Sequence, residues 1–456
     1  MKKEFLTIGV LLLFLSSILS AKADEVETEN LTYVVPKTPS IVYVQSNKLF
    51  IQKRKPDGQL EAAKPFVIHG VSWSPSTKAP DLGINPPDGK LVPYGFFFDW
   101  VGREPQGHEI LSFWQQAEFP AYYLKDLTLM QQMNVNTVRV YSDIHKKPAM
   151  TNQILDECYR RGIMVIMTIA SAKVDFDSKT YQTVVNLYKN HPAILMWSIG
   201  NEWNMNYYFG YSNIDQAIAA TNTAAQAVRV ADSNHPVSSV LADQFSAVPV
   251  VCPKDNPCCH PSDGRNNVPA IVQRTSAIQL WGITLYRGTT FTNFFSQWKT
   301  ATTKPFYVAE FGIDSFASVG KVVVNCNQAV KVSGQENQML QSQINMGLWQ
   351  HLKTQLSTLN PQGQALGGLV HEFNDELWKV GSYHVGLGGV VDYDGPDNIP
   401  DTADDDTSYD IYNREGFYLL GSQPDNILNE EYFGVVNANR VPKAVYWELK
   451  NFYGEL

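Results

Sequence analysis

Two glutamates stand at the ends of apolar runs: Glu202 in "MWSIGNEWN" and Glu310 in "PFYVAEFG". Each run reads as a buried strand, so each carboxylate is delivered to the edge of a hydrophobic core rather than to open surface. Paired carboxylates can divide the cleavage of a glycosidic bond. One, held protonated, gives its proton to the leaving oxygen; the other, ionised, attacks the anomeric carbon or activates water. The residues around Glu202 suit such a site, with Asn201 before it and Trp197 and Trp203 on either side. Apolar rings disfavour a charged carboxylate and would favour the protonated form of Glu202.

Other side chains compete for attention. "HEFNDELW" places Glu372, Asp375 and Glu376 together, each a candidate for contact with substrate. Trp73, Trp203 and Trp378 are candidate stacking platforms for a pyranose ring, whose C–H face packs on aromatic surface, or else tryptophans of the rim or core. The stretch "DYDGPDNIPDTADDD" offers Asp392, Asp394, Asp397 and Asp401 as candidate calcium ligands, although its spacing departs from an EF-hand loop and a solvated acidic loop is the alternative. No cofactor is required by this chemistry. No G-x-S-x-G turn supports a Ser-His-Asp hydrolase, no phosphate-binding glycine loop follows a strand, and the nine histidines are scattered.

The elements that must position these residues alternate along the chain. "PFVIHGVSW", "VNTVRVYSD", "GIMVIMTIA", "AILMWSIGNEW", "PVSSVLA", "IQLWGITLY", "PFYVAEFG" and "ALGGLVHEF" are eight candidate strands. Their continuous apolar character indicates burial on both faces, as in a parallel sheet with crossover helices. "PAYYLKDLTLMQQM", "MTNQILDECYRRG" and "IDQAIAATNTAAQAVRVAD" carry apolar residues at helical spacing. Eight such units predict an α/β fold, a (β/α)8 TIM barrel over residues 64–456, in which the C-terminal strand ends form the site. Glu202 and Glu310, 108 positions apart, are then separated by three βα units of about 36 residues, on strands four and seven.

Before the barrel, residues 24–63 read as a linker and β-hairpin, a short N-terminal β extension. Residues 1–23 read as a secretory signal peptide, with a basic start, an apolar run and a small-x-small site at Ala21 to Ala23. The expected location is secreted, periplasmic or cell surface, with no stable membrane insertion after the signal is removed. A net charge of −9 argues against nucleic acid as a partner. Of five cysteines, Cys158 lies in a helical pattern and reads as a buried thiol, whereas Cys252, Cys258, Cys259 and Cys326 lie in or near loops and are candidates for a disulfide.

"WSIGNEWN" together with "YVAEFG" resembles the retaining glycoside hydrolases of clan A, (β/α)8 enzymes with an Asn-Glu acid/base on strand four and a Glu nucleophile on strand seven. The resemblance covers about residues 65–452. It implies Glu202 as general acid/base, Glu310 as nucleophile and Asn201 as a partner of the sugar 2-hydroxyl. Arg139 in "NTVRVY" is similar to the clan's strand-two arginine and Tyr286 in "WGITLYRG" to its strand-six tyrosine, both expected to keep the nucleophile ionised. "PFVIHGVSWSP" and "RVPKAVYWELKNFY" resemble family 2 catalytic domains, while "VNTVRVYSD" and "YFGVV" resemble the β-1,3-glucanosyltransferase family. These resemblances imply a retaining β-glycosidase acting on a polysaccharide or oligosaccharide, with β-1,3-glucan as a candidate. The alternatives are a transglycosylase on the same site and a carbohydrate-binding barrel without turnover.

Overall fold

A computed structural model describes residues 33–74, 119–141, 148–205, 207–248, 264–318, 334–376, 424 and 432–456. Eight parallel strands close into a barrel: β4 (Ile68–Ser72), β5 (Thr137–Val140), β6 (Met164–Ala170), β7 (Ile194–Ile199), β8 (Val237–Ala242), β9 (Leu280–Thr284), β10 (Phe306–Phe311) and β13 (Ala365–Val370). They follow one another around the barrel, and β13 seals it by pairing with both β10 and β4. All eight strands lie within the eight apolar runs read from the sequence. Every residue of β5 to β10 and of β13 is buried, which is why those runs show no polar alternation.

The helices α1 (Phe119–Gln132), α2 (Pro148–Arg160), α3 (Lys173–Asp177), α4 (Thr180–Tyr188), α5 (Ile214–Ala231), α6 (Val268–Arg274), α7 (Phe294–Ala301), α8 (Gln338–Lys353) and α9 (Ala444–Gly454) lie between and after the strands. The longer helices bury one face against the barrel or a neighbouring helix; α5, for example, buries Ile214, Ala217, Ile218, Thr221, Ala224, Ala225 and Val228, a helical period. The Asn213 side chain caps it by accepting from the Gln216 amide at 3.0 Å. Among the described residues no helix is long and apolar enough to cross a membrane.

The N-terminal extension is a small antiparallel sheet of β1 (Ile41–Gln45), β2 (Lys48–Gln52) and β3 (Lys64–Pro65). Val42, Leu49, Ile51 and Phe66 form one apolar cluster with Ile68, Met164, Leu195, Leu280 and Leu366, residues near the starts of the barrel strands. The Val42 amide donates to the Asn234 carbonyl at 2.8 Å, just ahead of β8. The extension therefore closes the N-terminal mouth of the barrel and leaves the opposite mouth for the site. A remaining hairpin, β11 (Phe316–Ser318) with β12 (Gly334–Glu336), follows β10. The long segment after the first strand, residues 77–109, and the signal residues lie outside the described residues.

Candidate active site

Glu310 is the centre of the arrangement. It lies next to last on β10, 6 % exposed, where burial alone would hold its carboxyl protonated. Arg139 of β5, fully buried, donates from Nη1 to Glu310 Oε1 at 2.7 Å and from Nη2 to Asn201 Oδ1 at 2.6 Å. The Tyr141 hydroxyl donates to the same Oε1 at 2.8 Å. The Tyr286 hydroxyl stands 3.4 Å from Oε2, and His371 Nδ1 stands 3.8 Å from it. Against the burial penalty, the charges of His371 and Arg139 and the hydrogen bonds from Tyr141 and Arg139 bring the Glu310 carboxyl below the ordinary carboxylate value. Burial also pushes the Tyr141 hydroxyl far above its usual range, so it is present as a proton donor.

The turn after β7 presents Asn201 and Glu202. Gly200 takes φ +75°, and a Cβ there would lie 2.5 Å from the Phe209 ring and 2.7 Å from Trp203 Cδ1, so only glycine fits. Glu202 itself sits at φ +46°, in the left-handed region. The turn is held from below by Asn204, whose side chain donates to the Ala242 carbonyl at 3.1 Å and accepts from the Ala242 amide at 2.8 Å. Asn201 and Glu202 are half-buried.

The sequence-derived residues divide into three groups. Arg139, Asn201, Tyr286 and Glu310 converge through the contacts above, and Glu202 directly follows Asn201. Glu372 is buried beside the cluster, with Oε1 3.8 Å from His371 Nε2. Trp73 and Trp203 are not open platforms. The Trp73 indole is fully buried and donates to Asp126 at 3.1 Å, while Trp203 is 1 % exposed, donates to Ser239 at 2.9 Å and stacks on Phe209. An indole N–H wants a partner, and both find theirs in the core. Trp378 and the candidate calcium ligands Asp392, Asp394, Asp397 and Asp401 lie outside the described residues, as do Cys252, Cys258, Cys259 and Cys326. Among the described residues no group of acidic, histidine and cysteine side chains could hold a metal ion. Cys158 is a buried thiol on α2.

Tyr141 and His371 are two further members of the cluster. Tyr141 follows Arg139 by two positions, so strand alternation puts both on one side, and the Arg139 guanidinium lies 4.5 Å from the Tyr141 ring centre. That periodicity was a usable signal. For His371 the signal was only its place directly after β13, because its neighbours come from β5, β10, the residues after β9 and the segment 432–436. Two further carboxylates near the strand ends are engaged: Asp243 after β8 by a two-pronged contact from Arg287, and Asp375 by Lys443 at 2.6 Å. Neither faces the cluster as an unoccupied acid.

Residues 119–357, a little over half of the chain, match the family model for glycosyl hydrolases family 2, TIM barrel domain. No curated protein matches the chain. Similar solved structures include Ruminococcus gnavus β-glucuronidase in complex with a C6-substituted uronic isofagomine (14 % identity, TM-score 0.49, 91 % of this chain and 52 % of that one). Others are Bifidobacterium dentium β-glucuronidase complexed with coumarin-3-O-glucuronide (14 %, 0.48, 91 % and 50 %) and a β-galacturonidase from Eisenbergiella tayi bound to galacturonate (14 %, 0.40, 90 % and 58 %). The chain thus spans about half the length of these proteins. On the family match, which takes in barrel strands two to seven and both candidate glutamates, the chain belongs to the glycosyl hydrolases family 2 TIM-barrel family.

Proposed function

We propose that the protein is an exported retaining β-glycosidase acting on a polysaccharide or oligosaccharide, with Glu310 as nucleophile and Glu202 as general acid/base. The observation that carries this reading is the Arg139 fork. One guanidinium bonds Glu310 and Asn201 together, so the ends of strands four and seven meet within the reach of a single side chain. Glu310 is held ionised by its partners, the state a nucleophile needs. In the first step Glu310 attacks the anomeric carbon while Glu202 gives its proton to the departing oxygen. In the second, water attacks the anomeric carbon, the bond to Glu310 breaks, and Glu202 accepts a proton from that water. Asn201, fixed by Arg139, is the candidate partner of the sugar 2-hydroxyl.

A second reading, transglycosylation, differs only in the acceptor. It rests on the resemblance of the "YFGVV" segment to the β-1,3-glucanosyltransferase family; Phe433 of that segment packs against His371 and Tyr286, with ring centres 5.5 Å and 6.0 Å away.

A panel of β-1,3-glucan, mannan, galactan, glucuronides and galacturonides, read by product mass and anomeric NMR, tests both readings. Products of retained configuration support the proposal, and chain lengthening identifies transfer. Inverted product, or no turnover of any β-linked substrate, would overturn it.

A further inference from the structure

His371, the residue after β13, is 8 % exposed and enclosed by rings of Tyr141, Tyr286 and Phe433, whose centres lie 6.5, 6.4 and 5.5 Å from its own, all near edge-on. Its Nδ1 lies 3.1 Å from the Tyr141 oxygen. The Tyr141 hydroxyl has one proton, and Glu310 Oε1, a pure acceptor when ionised, takes it at 2.8 Å. The contact between His371 and Tyr141 therefore requires a proton on Nδ1, donated to the tyrosine oxygen. On the other side of the ring, Nε2 faces Glu372 Oε1 at 3.8 Å, while Nδ1 is also 3.8 Å from Glu310 Oε2. Among the described residues, the charged and titratable groups facing the imidazole include Glu310 from β10, Tyr141 and, behind it, Arg139 from β5, Tyr286 from the end of β9, and Glu372 from its own strand end. The ionised Glu310 beside Nδ1 favours the protonated ring.

We propose that His371 is a positioning residue for Glu310, held as an imidazolium beside that carboxylate and donating from Nδ1 to Tyr141 so that the tyrosine proton stays on Glu310. The inference deepens the glycosidase reading and rests on it for its kinetic consequence. The charge of His371 is also the largest of the influences that lower the Glu310 carboxyl, which agrees with the geometry.

The test uses the full chain with His371→Asn, which keeps a polar group but no charge, and His371→Phe, which fills the aromatic enclosure. On whichever β-glycoside the wild-type protein cleaves, the acid limb of kcat/KM should move to higher pH by about one unit in both variants. That is roughly tenfold lower activity below the limb, over and above any loss seen near the optimum. Equal loss at every pH with the limb unmoved would mark His371 as structural only and overturn the proposal. Carbon-13 NMR titration of the Glu310 carboxyl, assigned through Glu310→Gln, needs no turnover. An upward move in the variants supports the proposal even if no glycoside is cleaved, in which case the glycosidase reading fails separately. Should neither variant fold, nitrogen-15 shifts of the wild-type imidazole decide: both nitrogens protonated at pH 6 supports the proposal, and a neutral ring there overturns it.

Discussion

Arg139 reaches Glu310 across the barrel mouth, from β5 to β10, past the two intervening strands β4 and β13, and ends 2.7 Å from the carboxylate with both side chains buried. Removing one member of such a pair leaves the other charge uncompensated in the core. Arg139→Met should cost roughly 3–5 kcal/mol in chemical denaturation at pH 7. Glu310 has a folded-state value below its ordinary one, so its share of stability is present above the unfolded carboxylate range near 4.5 and is lost as pH falls through the folded value. In Arg139→Met the denaturation midpoint should fall more at pH 7 than at pH 4. An equal fall at both would show that Glu310 is not ionised by Arg139.

Glu202→Gln separates the two carboxylate roles. Without the proton donor, β-glycosides with poor leaving groups should lose on the order of 10²–10⁴ in kcat/KM, whereas aryl glycosides with acidic leaving groups need little protonation and should lose far less. Equal loss of the glycosylation step on both substrate types would remove Glu202 from the acid role.

The turn that carries Glu202 depends on Gly200. Gly200→Ala adds a methyl into the Phe209 and Trp203 rings at a positive φ, and should cost about 1–3 kcal/mol. Because Asn201 and Glu202 follow directly, turnover should fall while the melting transition stays cooperative. A variant with unchanged turnover would show that the turn tolerates the displacement.

The fold was legible in the chain because strands buried on both faces leave uninterrupted apolar runs, and eight such runs with helices between them have few ways to close. The site was legible where a residue's place on one strand decides its direction: Glu310, Arg139 and Asn201 stand at strand ends whose run announces them. It was not legible where packing decides. Trp73 and Trp203 stand at strand ends too, yet Asp126 and Ser239 draw their indoles into the core. His371 directly follows β13, yet its enclosure also depends on Phe433, over sixty positions later, which closes over it. No local pattern carries that information, since it is set by tertiary contacts between distant segments.

The contact between Asp375 and Lys443 ties the end of strand eight to the segment that precedes α9. Lys443 Nζ reaches Asp375 Oδ1 at 2.6 Å, Ser315 Oγ at 2.9 Å and the Tyr432 carbonyl at 3.2 Å, and the Gly434 amide donates to Asp375 at 2.9 Å. Burial outweighs these partners and raises the Asp375 carboxyl to about 7. Its unfolded value lies near 3.9, so between about pH 4 and 7 the folded protein holds a proton that the unfolded chain releases. Asp375 therefore contributes stability that is fully present below about pH 4 and lost as pH rises through 7. Asp375→Asn, which keeps the shape and cannot ionise, should reduce the fall in stability between pH 5 and 8 relative to the wild type, in urea denaturation followed by tryptophan fluorescence. Lys443→Met leaves the ionised carboxyl without its cation and should steepen that fall, with a loss of about 3–5 kcal/mol at pH 8. If Asp375→Asn leaves the slope unchanged, the carboxyl is ionised throughout this range, and the contact acts as a permanent ion pair holding "YFGVV" against His371.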